Sequence, residues 1–323
     1  MNKNFILSHN DLDGYGCIIS GIKAFGDVRY LNVGYNSVIE KLNYISGIIN
    51  EIDNIFVTDL SFGEPETIEL YKLVKNNPRV KFVYVDHHPF DNERQKAIFE
   101  KCKEFNNFEL VHTEKYSATY IFYKYLVKKG FIETDEKYDV LMKAINDLDT
   151  WNVEGEHFKL GLALNDVFFK SLKPNFMAEL TKEFRISDKL KQDLKNIVHK
   201  KEEYFNDIDN KNLAQQSNGI LILMADEFIN HMTLRYPNNN FFINGRSYGG
   251  ISVRVHKNVK NAKEAKLYLE EQLMTRPEVY SVGGHDYAYG VTLNDGHKHK
   301  YFEIVMLCAK ALNDFTKNQL ILN

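Results

Sequence analysis

Short apolar runs alternate with amphipathic segments along the first half of the chain. The apolar runs predict β-strands at residues 5–9, 28–33, 55–57 and 80–85. Helical periodicity is found at residues 15–25, 37–49, 64–74, 114–129 and 138–145. Strands that alternate with helices form right-handed βαβ units around a parallel sheet. The pattern therefore predicts an α/β domain with a parallel sheet.

Polar residues of the types that bind metals follow three of the predicted strands. They are His9, Asp11 and Asp13 after the first strand, Asp59 after the third, and Asp86, His87 and His88 after the fourth. In open α/β sheets, ligands bind at the carboxyl ends of the strands. Imidazoles and carboxylates at one edge can converge on one or two cations, and this mixture of donors suits Mn²⁺, with Mg²⁺ or Co²⁺ as substitutes.

Each of these segments also has a purely structural interpretation. In the first segment, Asp13 could simply cap the following helix, and Asp59 alone could belong to a surface turn. The recurrence of such residues at three strand ends favours the metal site. Under that hypothesis, replacing Asp11 or Asp13 abolishes activity and leaves the fold largely intact, whereas a capping role predicts that Asp13→Ala unfolds the protein.

Composition narrows the class of protein. The 323 residues are enough for two domains, and 44% hydrophobic with 26% charged residues is typical of a soluble globular protein. No apolar run approaches the roughly 20 residues of a membrane span, and the start lacks a signal peptide, so we expect a cytoplasmic protein without a membrane partner. The three cysteines lack zinc-site spacing. A net charge of −3 argues against binding to long duplex nucleic acid.

The second half of the chain predicts a helical linker and a smaller α/β domain. Residues 187–212 are rich in charged residues with intermittent Leu, Ile and Val, which indicates an exposed connecting helix. Strands are predicted at residues 219–224, 241–244 and 251–255, and helices at 228–234 and 261–273. A glycine-rich segment, SVGGHDYAYG, follows at residues 281–290. We predict a catalytic domain at 1–185, a linker at 186–215 and a substrate-binding domain at 216–323.

These motifs resemble the DHH phosphoesterases. The strings SHNDLDGYGC, VTDLS, VDHH, YSAT and LDTW look, segment by segment, like the branch that degrades very short RNA, the nanoRNase or oligoribonuclease B type. The glycine-rich segment resembles the signature of the DHHA1 domain, although Ser281 and Val282 stand where family members often have further glycines. The resemblance implies a DHH domain followed by a DHHA1-like domain.

The resemblance also implies roles for individual residues. One ion would be held by His9, Asp11 and Asp59. A second would be held by Asp13, Asp59, His87 and Asp149, with Asp147 as the alternative to Asp149. His88 would bind the scissile phosphate or protonate the leaving oxygen, and Asp86 would orient its neighbours. In the second domain, the residues expected to contact the substrate are Arg254, Gly283, Gly284 and His285.

The expected reaction is metal-dependent hydrolysis of short single-stranded oligoribonucleotides to mononucleotides. The same centre in related families acts on cyclic dinucleotides, pApN, 3',5'-bisphosphonucleotides or single-stranded DNA, and these activities remain alternatives. A non-catalytic nucleotide binder is the alternative from another class. Whether the protein is a monomer or a homodimer stays open.

Overall fold

The computed structural model describes residues 3–90, 92–246 and 248–322. The chain divides into two compact units, Met1–Val198 and His199–Asn323. The division falls inside one long helix, Asp188–Asn210, rather than in an extended linker. The predicted domain limits at residues 185 and 216 remain a prediction. None of the helices within the described residues combines the length and the apolar character that a membrane span requires.

The first unit is built on a five-stranded parallel sheet. Its strands are β1 (Asn4–His9), β2 (Arg29–Val33), β3 (Asn54–Thr58), β4 (Lys81–Asp86) and β5 (Phe108–His112), in the order β2-β1-β3-β4-β5. The predicted α/β class and the predicted parallel sheet are therefore confirmed. The edge strand β5 was not predicted, because its sequence FELVH is only partly buried and carries two ionisable residues.

Helices cover both faces of this sheet. They are α1 (Leu12–Phe25), α2 (Val38–Gly47), α3 (Glu64–Asn76), α4 (Glu93–Lys103), α5 (Ala118–Lys128), α6 (Glu136–Asp149), α7 (Phe158–Lys170) and α8 (Lys173–Glu183). Alternate strand residues such as Leu7 and Val57 form one core with α2, α3 and α4. On the opposite face, the Phe56 ring lies 5.3 Å from the Phe122 ring of α5. This alternation follows from the two-residue period of a strand.

Three helix boundaries differ from the sequence prediction in ways that affect the site. α1 begins at Leu12 instead of residue 15. α5 begins at Ala118 instead of residue 114, because the Ser117 hydroxyl caps it by accepting a hydrogen bond from the Tyr120 amide at 3.4 Å. α6 continues to Asp149, so the two late acidic residues lie in its last turn rather than beyond it. Helices α4, α7 and α8 were not predicted.

The helix that was predicted as an exposed connection, α9 (Asp188–Asn210), buries one side. Its buried side chains include Leu190, Leu194, Phe205 and Ile208. The second unit then forms a six-stranded sheet in the order β10-β11-β9-β8-β7-β6. Its elements are β6 (Gln215–Ser217), β7 (Ile220–Met224), α10 (Met232–Arg235), β8 (Phe241–Gly245), β9 (Ile251–Val255), α11 (Ala262–Leu273), β10 (Val279–His285), β11 (Ala288–Leu293) and α12 (Tyr301–Leu322).

The glycine-rich segment forms a β-hairpin. Residues 279–285 form β10, which pairs antiparallel with β11, and Gly283 lies opposite Gly290. Only Asp286 and Tyr287 separate the two strands. The glycines therefore lie mostly in extended backbone.

Candidate metal centre

The carboxyl end of β1 passes directly into helix α1. Asp11 is the N-cap residue of α1, and its Oδ1 accepts a hydrogen bond from the Gly14 amide at 3.0 Å. Asp13 lies in the first turn of the helix, so the alternative in which Asp13 caps α1 is wrong. Gly14 is required by packing, because a Cβ there would lie 2.2 Å from the His9 carbonyl oxygen. The tight turn places His9, Asp11 and Asp13 at the edge of the sheet.

A first group of potential ligands joins β1 to the end of β3. His9 Nδ1 lies 2.9 Å from Asp11 Oδ2 and 3.9 Å from Asp59 Oδ2. The donor atoms of His9, Asp11 and Asp59 all lie within 4.8 Å of one another. One imidazole and two carboxylates at this spacing can bind a divalent cation.

A second group joins β4 to α1 and α6. His87 Nε2 lies 3.4 Å from Asp149 Oδ2 and 3.9 Å from Asp13 Oδ2, and the three donor atoms fall within the same 4.8 Å limit. His87 Nε2 also lies 3.5 Å from Asp59 Oδ1. One oxygen of Asp59 thus faces each group, and the division of these ligands between two ions remains a prediction.

Asp13 has additional contacts that the sequence did not predict. Its two carboxylate oxygens accept hydrogen bonds from the backbone amides of Ala118 and Thr119, at 2.8 and 3.0 Å. The Thr119 hydroxyl donates in return to the Asp13 carbonyl oxygen. These amides belong to the first turn of α5, where the helix dipole favours an anion. Asp13 therefore anchors α5 as well as facing His87.

The structure separates Asp149 from Asp147. Asp147 accepts hydrogen bonds from the Asn152 side-chain amide and the His157 backbone amide, both at 3.1 Å, and so organises the loop after α6. Asp149 instead points towards His87. Asp149, and not Asp147, thus belongs to the second group of potential ligands, and its role as a metal ligand remains a prediction.

The last residue of the VDHH string faces Asp86. His88 Nδ1 lies 2.8 Å from Asp86 Oδ1, and the Tyr84 hydroxyl lies 3.4 Å from Asp86 Oδ2. The His88 carbonyl oxygen accepts a hydrogen bond from His112 Nε2 at 2.7 Å. Asp86 and His112 thus fix the ring and the backbone of His88. Sequence reasoning missed Tyr84 and His112 because neither belongs to a motif.

Burial and mutual repulsion raise the pKa values of two carboxylates in the site. Burial and the charges of Asp11 and Asp13 raise the pKa of Asp59 well above its usual range. Burial and the charges of Asp13 and Asp11 likewise raise the pKa of Asp149. Both groups therefore resist ionisation unless a positive charge lies nearby.

The pKa values of the carboxylates that pair with a histidine shift downwards instead. Burial opposes ionisation of Asp11, but its hydrogen bonds with His9 and the Gly14 amide and the charge of His9 together outweigh burial and lower the pKa of Asp11. For Asp86, burial is likewise outweighed by the hydrogen bond with His88 together with the charges of His88 and His87, and its pKa is lowered. Burial alone would lower the pKa of His88, but the hydrogen bond with Asp86 and the charges of Asp86 and Asp13 together raise it. Burial lowers the pKa of His87, which favours the neutral imidazole that coordinates metals.

The buried carboxylate oxygens of the site are suited to bind divalent cations. Asp59 Oδ2 and Asp149 Oδ2 are buried oxygens without a hydrogen-bond partner, one in each group of ligands. A buried carboxylate oxygen of this kind is costly unless a cation compensates it. The His and Asp clusters can therefore hold metal ions, and the two uncompensated oxygens mark where positive charge is needed.

One aromatic residue beside the site was not predicted to have any role. Tyr35 follows β2 in a short 3₁₀ turn, Tyr35–Ser37. Desolvation of the hydroxyl group and the charges of Asp59 and Asp11 raise the pKa of Tyr35, although its side chain is partly exposed, so the hydroxyl stays protonated. A single Tyr after a strand gives no sequence signal, since its position depends on how β2 lies against β1.

The residues predicted to contact the substrate from the second domain lie in β9 and β10. The Arg254 guanidinium donates to Asn230 Oδ1 at 3.0 and 3.3 Å and to the Val253 carbonyl at 3.2 Å. Burial and the charge of Arg246 lower the pKa of Arg254 to about 10. Gly284 has a φ of 121° and its carbonyl accepts a hydrogen bond from Lys266. The His285 side chain lies outside the described part of the structure.

Comparison with known proteins gives two curated relatives, whereas no family model matches the chain. Oligoribonuclease NrnB of Bacillus subtilis is 30% identical over 190 residues, which cover 57% of this chain and 45% of that protein. A 3',5'-cyclic-nucleotide phosphodiesterase of Helicobacter pylori is 26% identical over 174 residues, 50% of this chain and 47% of that protein. The chain therefore matches about half the length of these curated relatives.

A solved structure supports the fold. The pGpG-specific phosphodiesterase PggH of Vibrio cholerae superposes with a TM-score of 0.53 at 11% identity, over 96% of this chain and 100% of that one. At this identity the likeness concerns the fold alone. The curated relatives, and not this structure, confirm the predicted similarity to DHH-type phosphoesterases.

Proposed function

We propose that this protein is a metal-dependent phosphodiesterase that hydrolyses short oligoribonucleotides to mononucleotides. The observation that carries the proposal is the pair of His and Asp groups joined by Asp59, whose two oxygens face His9 and His87. We expect two Mn²⁺ ions per chain, with Mg²⁺ or Co²⁺ as substitutes, because the donors are carboxylates and imidazoles without thiolates.

Under this proposal, each group of ligands holds one ion. The residues His9, Asp11 and Asp59 form the first site, and Asp13, His87 and Asp149 form the second, with Asp59 shared. When bound, such a pair of cations activates a water and stabilises the charge that develops on phosphorus. The protein itself supplies fixed ligand positions, since Asp13 is held by α5 and Asp11 by the start of α1.

His88 is the proposed contact to the scissile phosphate. Its pKa is raised, which favours the protonated ring that can bind a phosphate oxygen or donate a proton to the leaving oxygen. Asp86 holds the opposite side of the ring and so sets its orientation. A metal-activated water needs no protein nucleophile, and we assign none.

Arg254, Gly283, Gly284 and His285 are the proposed substrate contacts of the second domain. Among the described residues, Arg254 pairs with amide and carbonyl oxygens rather than with a carboxylate. A guanidinium without a carboxylate partner retains its attraction for phosphate. The short extended strand that contains Gly283 leaves the backbone open to close approach.

The choice of short RNA rests on the oligoribonuclease, the relative with the higher identity of the two. Cyclic-nucleotide hydrolysis is the second candidate, because the other curated relative is named for that activity. Both reactions place a phosphodiester at the metal centre, so the geometry of the centre does not distinguish them. They can be distinguished by measuring hydrolysis of several substrates in parallel.

The test is incubation of purified protein and Mn²⁺ with a 5'-labelled RNA trimer, linear pGpG and 3',5'-cAMP in parallel. We expect mononucleotides from the trimer at the highest rate, and no product from the His87→Ala variant. The absence of product from the trimer would refute the proposal, and faster cleavage of cAMP or pGpG would replace it with the corresponding alternative. Metal analysis separates an enzyme from a binder: about two Mn²⁺ per chain favour the enzyme, and none the binder.

A further inference from the structure

Tyr35 contacts two histidines of the candidate centre, His9 and His88. Its ring stacks on the His9 imidazole, with centroids 4.5 Å apart and an angle of 29° between the planes. The residue is 44% exposed, so it lies at the surface of the site rather than beneath it. A tyrosine in this position covers a potential metal ligand and still faces solvent.

The hydroxyl of Tyr35 lies beside His88. Its oxygen is 3.5 Å from His88 Nε2, while the other ring nitrogen of His88 is held by Asp86 at 2.8 Å. The His88 ring is thereby oriented with Nε2 towards the Tyr35 hydroxyl. Two groups that can donate hydrogen bonds are thus placed close together at the mouth of the centre.

An uncharged donor suits this position. The carboxylates of Asp11, Asp59, Asp86 and Asp149 all act on Tyr35 electrostatically, so they form a negative environment around it. A phosphate that enters this environment is repelled unless cations and hydrogen-bond donors compensate. A phenol contributes a hydrogen bond without pairing with the carboxylates as a lysine or arginine would.

We propose that Tyr35 is a further substrate-binding residue, whose hydroxyl donates a hydrogen bond to the phosphate oxygen that His88 also contacts. The proposal rests on the proposed function, since it assigns the phosphate to the same centre. The stacked ring explains how the hydroxyl is held, because His9 fixes the ring plane. The hydrogen bond from Tyr35 to the phosphate comes from an uncharged group.

The test uses Tyr35→Phe, which keeps the ring on His9 and removes only the hydroxyl. Two quantities are measured: kcat/KM on the RNA trimer, and the affinity for 5'-AMP in the presence of Mn²⁺ by calorimetry. We expect kcat/KM to fall about 10- to 100-fold and 5'-AMP to bind about 10-fold more weakly, as for the loss of one hydrogen bond to a charged group. The Mn²⁺ content is expected to remain unchanged.

The matched control is Tyr44→Phe, which removes the hydroxyl of a 54% exposed tyrosine on α2, away from the ligand groups. It should behave as the wild type in every measurement. Equal kcat/KM and equal 5'-AMP affinity for Tyr35→Phe and wild type would overturn the assignment of Tyr35. A loss of Mn²⁺ in Tyr35→Phe would also overturn it, because the hydroxyl would then support the metal site instead of the substrate.

Failure of the proposed function gives a different result. A wild-type protein that binds 5'-AMP with Mn²⁺ but releases no mononucleotide from RNA would refute the function alone, and the 5'-AMP affinity of Tyr35→Phe would still decide the role of Tyr35.

Discussion

Asp13 accepts a hydrogen bond from the Thr119 amide at 3.0 Å, although 106 residues separate the two along the chain. The Ala118 amide donates to the other oxygen of the same carboxylate at 2.8 Å. Asp13 thus joins the start of α1 to the start of α5. A residue expected to act only in metal binding therefore also holds two helices together.

This double role changes the expected result of replacing Asp13. We predict that Asp13→Ala loses activity and also about 1–3 kcal/mol of unfolding free energy, because two buried amides lose their acceptor. Asp13→Asn keeps one acceptor oxygen and should lose about 1 kcal/mol. Urea unfolding in EDTA measures both values. Wild-type stability of Asp13→Ala would contradict the anchoring role.

Replacement of the two acidic residues in the last turn of α6 by their amides should have different effects at the two positions. Asp149→Asn is expected to reduce bound Mn²⁺ and to lower kcat at least about 100-fold, because the ligand opposite His87 loses its charge. Asp147→Asn should retain the Mn²⁺ content and lose roughly 1 kcal/mol of stability through its loop contacts. Metal analysis and urea unfolding of both variants check this. Loss of Mn²⁺ from Asp147→Asn alone would reverse the assignment.

The metal-free protein should become less stable as the pH rises through the titration of Asp59. Folding raises the pKa of Asp59 above the value of about 3.9 expected for an unfolded chain. The folded state therefore holds the proton more tightly, and the stability contributed by Asp59 is present at low pH and is lost as the pH rises. Asp59→Asn cannot ionise. In EDTA its stability relative to the wild type should be greater at pH 8 than at pH 5, by at least about 1 kcal/mol.

With Mn²⁺ bound, the wild type should become more stable than Asp59→Asn. At a hundredfold excess over its Kd, a ligand of the folded state stabilises it by about 2.7 kcal/mol. Wild type is expected to gain this stabilisation and Asp59→Asn much less of it. If the unfolding free energies of the two proteins in EDTA change with pH in the same way, the ionised carboxylate of Asp59 does not destabilise the metal-free fold.

The two glycines of β10 should differ in their tolerance of alanine. A Cβ on Gly284 would lie 2.7 Å from the Ala288 carbonyl oxygen, and its φ of 121° disfavours any side chain. Gly284→Ala should lose about 1–3 kcal/mol. A Cβ on Gly283 meets no described atom within 4 Å, so Gly283→Ala should stay within about 0.5 kcal/mol of wild type.

Gly283→Ala is therefore a clean probe of binding. If a ligand approaches the backbone closely at Gly283, this variant keeps its stability and loses affinity for 5'-AMP. Unchanged affinity would remove Gly283 from the proposed substrate contacts.

The sequence predicted the parallel sheet because residues such as Val83 and Val57 belong to continuous apolar runs that are buried on both faces. It did not predict β5, whose Glu109 and His112 make the edge strand resemble a loop. No strand was predicted at the glycine-rich hairpin either, since Gly283 and Gly284 weaken any strand signal.

Within the candidate centre, the motifs were enough to select His9, Asp11, Asp13, Asp59, His87 and Asp149 as neighbours. They could not predict the further contacts that these residues make within the fold. The hydrogen bonds of Asp147 and the contact of Tyr35 with His88 depend on tertiary packing, which leaves no periodic pattern in the sequence.

Asp59 has a backbone φ of 54°, in the left-handed region that favours glycine and only tolerates aspartate or asparagine. Its carboxylate is buried as well, with one oxygen unsatisfied. In the metal-free protein, glycine at this position would relieve both the backbone conformation and the buried charge, and so would increase thermal stability. Under the proposed function, stability without metal and catalysis therefore make opposite demands on position 59: a screen in EDTA for heat-resistant variants should enrich substitutions there that inactivate the protein.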